Sequence, residues 1–337
     1  MVRQFRKLRL SLTDACNFAC VYCVSGNETH ELRAQTPVAD FLAWVKAIHG
    51  ANPLAEIRLT GGEPTLYRNL VKLVAGLKAM GIPRLAMTTN GVALARLAVP
   101  LRDAGLESVN VSLDALDETV FRTMGGRNPA AVFAGIDAAL ATGLGVKLNT
   151  TLVSEMNDTQ ILPLLGWAKG KNIPIRFLEL MAMGHLYGEL PAAAEAARGK
   201  LPAAAEAARG ERPAAALAAT GGKSARLFAA EDILSVIATA FEFRALPRAP
   251  HATAHYYELE GGYRFGIIGN TSLPFCSDCD RLRLDSRGNI YGCLSSARGI
   301  SVAGTQTNMT SALATAMQMK QSERFTGSPL VMRDIGG

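Results

Sequence analysis

The chain has 337 residues, 49% of them apolar and 19% charged, with a formal net charge of +6. A length on this scale suggests about two domains, and this apolar share supplies a large core, which excludes a disordered or fibrous chain. The modest positive charge suits a local anion site better than a nucleic-acid surface, for which a concentrated basic stripe is expected. Apolar runs stop well short of the ~18 residues of a membrane span, and MVRQFRKLRL leads into a strand pattern without a signal-type core. A cytoplasmic, reducing location with no membrane attachment is therefore expected.

In chain order, short β-branched or apolar runs predict strands at 8–12, 56–60, 85–88, 108–113, 146–152 and 173–178. Between them, 69–80, 92–104 and 130–142 carry apolar residues at i, i+3, i+4 spacing and end on Gly81, Gly105 and Gly143, the pattern of helices with glycine stops. Six βα units build a parallel sheet and predict an α/β fold, a partial (β/α)6 barrel of the TIM type, with an open doubly wound sheet as the alternative. Either arrangement gathers functional groups at the C-terminal ends of the strands, and Cys16 comes four residues after the first strand. From Leu190 an eleven-residue unit, LPAAAEAARGK, recurs as LPAAAEAARGE and a degraded RPAAALAATGG. Proline at the front and glycine at the back of each copy break any long helix, so 189–224 reads as a low-complexity surface insertion. A helical pattern returns at 231–241, and from about 244 aromatic-rich strands (HYYELEGGYRFGII) begin a second region. The expected division is a barrel over 1–243 and a C-terminal α+β region over 244–337 that holds the last three cysteines of the chain.

The six cysteines fall into two sets of three: Cys16, Cys20 and Cys23, then Cys276, Cys279 and Cys293. A [4Fe–4S] cluster is usually held by four thiolates, so each set leaves one iron without a protein ligand and open to a small molecule. Paired zinc knuckles or unrelated buried thiols are the alternatives, although zinc sites usually close with a fourth Cys or His and no histidine lies within four residues of either set.

Cys16-x3-Cys20-x2-Cys23, in CNFACVYC after a strand, resembles the cluster loop of the radical S-adenosylmethionine superfamily, including the aromatic Tyr22 before the last cysteine. The resemblance implies that the first cluster and S-adenosylmethionine together generate a 5′-deoxyadenosyl radical. It makes Gly61, Gly62 and Glu63 of GGEP, with Thr88, Ser112, Lys147 and Met181, the cosubstrate contacts. FCSDCDRLRLDSRGNIYGCL, with LRLSLTDACNFAC, IRLTGGEP, TTNG, VNVSLDALD and IRFLELM, resembles more narrowly the GTP 3′,8-cyclase family of molybdenum cofactor biosynthesis. That family implies two [4Fe–4S] clusters and GTP as substrate. Its further partners are a downstream cyclic pyranopterin monophosphate synthase and a reductant such as flavodoxin or ferredoxin, with a homodimer compatible and no nucleic acid.

Arg281 and Arg283, two apart in an extended segment, point to one face, and guanidinium forks suit phosphate oxygens. The family pattern adds Arg9, Arg58 and Arg176 within barrel strands, and the closing Gly336 and Gly337 as residues that reach the substrate. Solvent-facing strand arginines and a frayed end are the plainer readings of these residues. Glu56 stands where the family has a phosphate-contacting lysine, which is repulsive if it points inward. Ala15 and Ala19 replace arginines of the TDRCNFRC form of the loop. Two further readings follow: a related radical enzyme acting on another nucleotide or peptide, and a non-catalytic metal protein that binds nucleic acid, for which aromatics interleaved with basic residues are expected but make only 6% of the chain.

Overall fold

The structure, a computed structural model, describes residues 3–24, 34–188, 227–304 and 308–336. The predicted insertion at 189–224 and Gly337 lie outside the described residues. All six predicted strands form: β1 (Lys7–Ser11), β2 (Glu56–Thr60), β3 (Arg84–Thr89), β4 (Ser108–Ser112), β5 (Gly145–Thr151) and β6 (Ile175–Leu178). They pair in chain order, all parallel. The last begins two residues later than the apolar run suggests, because Pro174 has no N–H to give a ladder. The predicted helices appear as Leu70–Ala79, Leu94–Asp103 and Pro129–Ala141, and Ala230–Ala238 occupies the later pattern. Among the described residues no helix is long and apolar enough to cross a membrane.

The region from 243 onward adds β7 (Phe243–Ala245), β8 (His255–Leu259), β9 (Arg264–Ile268), β10 (Arg281–Leu284), β11 (Asn289–Tyr291) and β12 (Ile300–Ser301). Two of these strands extend the barrel sheet at opposite edges. β9 lies parallel beside β6, and β10 lies parallel beside β1 with Lys7 opposite Arg281 and Arg9 opposite Arg283. The sheet runs β12-β11-β10-β1-β2-β3-β4-β5-β6-β9-β8-β7, an open barrel. Since β9 and β10 point the same way, the segment 269–280 between them travels back along the open side, from the C-terminal end of one strand to the N-terminal end of the other.

Side-chain alternation explains the two faces. Leu8, Leu10, Ile57, Leu59, Leu282 and Leu284 are completely buried outside the barrel, where Phe41, Val45 and Ile48 of the helix Val38–Ala51 belong to the same core. Each such side chain contributes roughly 1.5–3 kcal/mol by leaving water. The intervening positions, Lys7, Arg9, Glu56, Arg58, Arg281 and Arg283, face inward. An interior of charged groups cannot pack shut, and a cavity of about 690 Å³ runs through it.

Candidate active site

At the C-terminal end of the strands, Cys16, Cys20 and Cys23 lie on the loop after β1 and line the cavity. The Gly61-Gly62-Glu63 segment after β2 docks onto this loop through backbone hydrogen bonds, Gly62 N to the Thr13 carbonyl at 2.7 Å and Glu63 N to the Ala15 carbonyl at 2.9 Å. A Cβ on Gly62 would sit 2.3 Å from the Ala15 oxygen, so the close approach requires glycine. Glu63 is buried and accepts from Thr65 N (3.0 Å), Thr65 Oγ1 (2.6 Å), Thr89 Oγ1 (2.7 Å) and Asn90 N (2.7 Å). Burial raises its carboxyl above the ordinary value in spite of these donors. Tyr22 Oη donates to Asp114 Oδ2 at 2.8 Å, and Thr151 N donates to Asp114 Oδ1 at 2.9 Å. Burial pushes Asp114 up to about 6 although both bonds pull it down. Thr88, Ser112, Lys147 and Met181 also line the cavity.

Across the middle, Arg9, Arg58, Arg176, Arg281 and Arg283 all face the cavity, so the solvent-facing reading of these arginines does not hold. Burial first, and then the like charges of Arg283, Arg281, Arg58 and Arg176, push the Arg9 guanidinium well below its ordinary value. Burial likewise brings Arg283 and Arg176 down to about 10. Arginine keeps its proton in proteins, so these displacements express first the cost of burying the charges and then their mutual repulsion, both of which a bound anion would offset. Arg58 Nη1 and Arg281 Nη2 are buried without a hydrogen-bond partner, and unpaired buried donors of this kind fit phosphate oxygens. Glu56 does line the cavity, but its charge is engaged: Oε1 meets Arg58 Nη2 at 2.9 Å and Oε2 meets Arg84 Nη2 at 3.0 Å. Burial opposes its ionisation, yet Arg58 and Arg84 hold the carboxyl below the usual value.

Cys276 and Cys279 precede β10, and Cys293 follows the antiparallel β11, so the second set opens into the cavity from the N-terminal end of the strands. The expectation that functional groups gather at the C-terminal ends holds for the first set alone; an unpacked interior makes the opposite mouth equally usable. Arg3 Nε donates to the Cys279 carbonyl at 3.0 Å and its Nη2 to the Cys276 carbonyl. Burial pushes the Cys16 and Cys276 thiols up to about 12 and about 11. Burial acts on Cys279 in the same direction, but Arg281 and Lys320 overcome it and bring the thiol down to about 6. Six part-exposed thiols in two groups on one cavity suit iron–sulfur ligation. Among the described residues no three Cys, His, Asp or Glu side chains close around a single-ion position.

The chain end enters from the first mouth. Gly336 has φ 78° and lies where a Cβ would be 2.5 Å from Thr60 Oγ1, and its carbonyl accepts from Arg283 Nη1. Sequence reasoning did not single out Asp114, Glu179, Arg3 or Lys320. Glu179, inside IRFLELM, accepts from Ala230 N (2.8 Å), Thr271 N (3.1 Å) and Ser272, and so fixes the start of the segment that leads to Cys276. A buried acid in a motif next to strand β6 was the available signal; Arg3 and Lys320 had none, because their partners lie far along the chain.

A family model described as Radical SAM superfamily matches residues 10–168, and one described as Molybdenum Cofactor Synthesis C matches 216–326. The fold and the first cysteine loop thus define a radical S-adenosylmethionine protein. GTP 3′,8-cyclase of Staphylococcus haemolyticus (strain JCSC1435) is 34% identical over 302 residues, 87% of this chain and 79% of the relative. The same-named protein of Staphylococcus aureus (strain JH9) is 35% identical with the same coverage. The chain belongs to the GTP 3′,8-cyclase family. Among solved structures, Streptococcus suis SuiB bound to precursor peptide SuiA matches with a TM-score of 0.46 and 18% identity, over 53% of this chain and 40% of that one.

Proposed function

We propose that this chain converts GTP to 3′,8-cyclo-7,8-dihydro-GTP in molybdenum cofactor biosynthesis, and that it does so with two [4Fe–4S] clusters at the two mouths of one cavity. The observation that carries the reading is a single cavity lined by two incomplete cysteine sets with five arginines between them. When bound, the first cluster and S-adenosylmethionine supply a 5′-deoxyadenosyl radical, chemistry that belongs to the cofactors. Cys16, Cys20 and Cys23 would hold the first cluster, while Tyr22, Gly61, Gly62, Glu63, Thr88, Ser112, Lys147 and Met181 would hold the cosubstrate. Cys276, Cys279 and Cys293 would hold the second cluster, whose open iron would take the guanine. Arg9, Arg58, Arg176, Arg281 and Arg283 bind and orient the triphosphate, using the unpaired nitrogens of Arg58 and Arg281. In this role the arginines would hold the triphosphate across the middle of the cavity and so fix the orientation of the nucleotide between the two cysteine sets. Gly336 would complete the wall beside Thr60, and Gly336 and Gly337 would reach the substrate. The region from 244 closes the barrel's open side, and a product-accepting synthase, a flavodoxin- or ferredoxin-type reductant and a homodimer are partners consistent with this role.

The test is anaerobic reconstitution with iron and sulfide, then incubation with GTP, S-adenosylmethionine and a reductant. The expected result is about eight irons per chain and the cyclised nucleotide with 5′-deoxyadenosine. Two zincs per chain, or cosubstrate cleavage with no change in GTP, would sink the reading. Glu56 inside the cation wall favours one alternative, a different nucleotide as substrate, which the same incubation with ATP, CTP and UTP addresses.

A further inference from the structure

Lys320 stands two residues beyond the helix Met309–Gln318, remote in sequence from both cysteine motifs. Its Nζ donates to Cys279 Sγ at 3.2 Å and to the Arg281 carbonyl, and it lies 5.3 Å from the centroid of the Phe5 ring. The lysine is not a stray surface group. Arg3, which braces the carbonyls of Cys276 and Cys279, also donates from Nη1 to the carbonyl of Gln321 at 3.3 Å, so one arginine ties the cysteine loop to the residue after Lys320. The same helix presses on the third cysteine of the set: a Cβ on Gly292 would fall 1.7 Å from the Ala316 carbonyl, so only glycine lets Cys293 come this close. Three segments far apart in sequence are thereby fixed around one sulfur. At the first set the hydrogen bond to Cys16 Sγ comes from a backbone group, the Phe18 N–H at 3.4 Å.

Reduction potentials of iron–sulfur clusters depend on hydrogen bonds to the sulfurs and on nearby charge, and groups outside the ligand set orient and tune the ligands. A cation in contact with a ligand sulfur favours the state with the extra electron, and it does so more strongly where water is excluded. From this geometry we infer that Lys320 is a positioning residue for the second cluster: its ammonium fixes the Cys279 sulfur and raises the reduction potential of the cluster held there. The inference rests on the two-cluster reading above and adds a residue that neither cysteine motif contains.

The experiment compares wild type, Lys320→Met and Lys320→Arg as anaerobically reconstituted holoenzymes. Iron per chain and the midpoint of each cluster are read by EPR-monitored redox titration. The Cys16→Ala/Cys20→Ala/Cys23→Ala protein supplies the signal of the second cluster alone. Lys320→Met is expected to move the second midpoint to more negative potential, with the first unmoved, while Lys320→Arg stays near wild type. Iron lost in Lys320→Met and retained in Lys320→Arg also supports the contact. An unmoved second midpoint in Lys320→Met, an equal shift of both clusters, or iron loss that Lys320→Arg does not recover overturns the inference. Uptake of only about four irons by wild type overturns the two-cluster reading itself and is distinguishable from all of these.

Discussion

Gly62→Ala tests the join between the GGE segment and the first cysteine loop. The added methyl would lie 2.3 Å from the Ala15 oxygen, 2.7 Å from its carbonyl carbon and 2.8 Å from the Asp14 oxygen, all backbone atoms that no rotamer change can move. To regain an ordinary 3.4 Å contact the two segments must separate by about 1 Å. That stretches the Gly62–Thr13 and Glu63–Ala15 hydrogen bonds, at 2.7 and 2.9 Å, beyond bonding length. Two lost bonds cost about 1–3 kcal/mol, a fraction of the 5–15 kcal/mol that typically holds a domain. The protein is therefore expected to stay folded with the first loop displaced. Reconstituted Gly62→Ala should carry about four irons rather than about eight and form no 5′-deoxyadenosine. Gly81→Ala is the control: at φ 79° with nothing within 4 Å, it should cost about 1–2 kcal/mol of backbone strain, lower Tm by a few degrees and leave iron and cleavage intact. Full iron content and normal cleavage in Gly62→Ala would refute the reasoning.

Replacing any of Cys16, Cys20 or Cys23 by Ala should abolish 5′-deoxyadenosine, whereas Cys276→Ala, Cys279→Ala or Cys293→Ala should spare some uncoupled cleavage and lose cyclised product; equal loss in both groups of folded variants counts against that division. Glu56→Lys turns a negative charge in the cation wall positive, worth roughly 1 kcal/mol or more per unit charge at a partly screened site. The apparent Kd for GTP should fall, while the ligand-free protein loses the Arg58 and Arg84 pairs and melts lower; an unchanged Kd on calorimetric titration would refute this. Asp114, raised by burial from the ordinary 3.8 to about 6, keeps its proton in the folded state where the unfolded chain has released it. Its contribution to stability is greatest below the unfolded value, declines as pH rises through about 6, and is then constant. Urea melts of the apoprotein across this range should show a shallower decline in Asp114→Asn, and an identical slope would remove Asp114 as its source.

The sequence carried what is local. Apolar spacing located all six barrel strands because each carries apolar side chains buried at alternate positions on its outer face. The two-residue spacing of Arg281 and Arg283 foretold their common face for the same reason. What could not be read was pairing at a distance. Nothing in RLRL says that it lies beside KLRLS, and without that pairing the second cysteine set could not be placed at the N-terminal mouth. Glu56 looked simply repulsive because its partner Arg84 sits on a neighbouring strand whose register only the folded sheet defines. Asp114 and Glu179 were hidden among motif residues, their partners, Tyr22 and Ser272 among them, lying far from them in sequence and joined by backbone N–H groups that carry no residue identity.

The union of β1 with β10 also has a history within each molecule's synthesis. β1 emerges first, yet its outer neighbour comes late: Arg3 must wait for Cys279, 276 positions further along the chain. At about 5–20 residues per second the nascent strand keeps a row of unpaired N–H and C=O groups for roughly 15–60 s, the condition in which strands seek wrong partners. During the same interval the first cysteine loop stands open on the side that the later segment will cover. A newly made chain therefore exposes its first three thiols to the surrounding solution before the last wall of the cavity is in place.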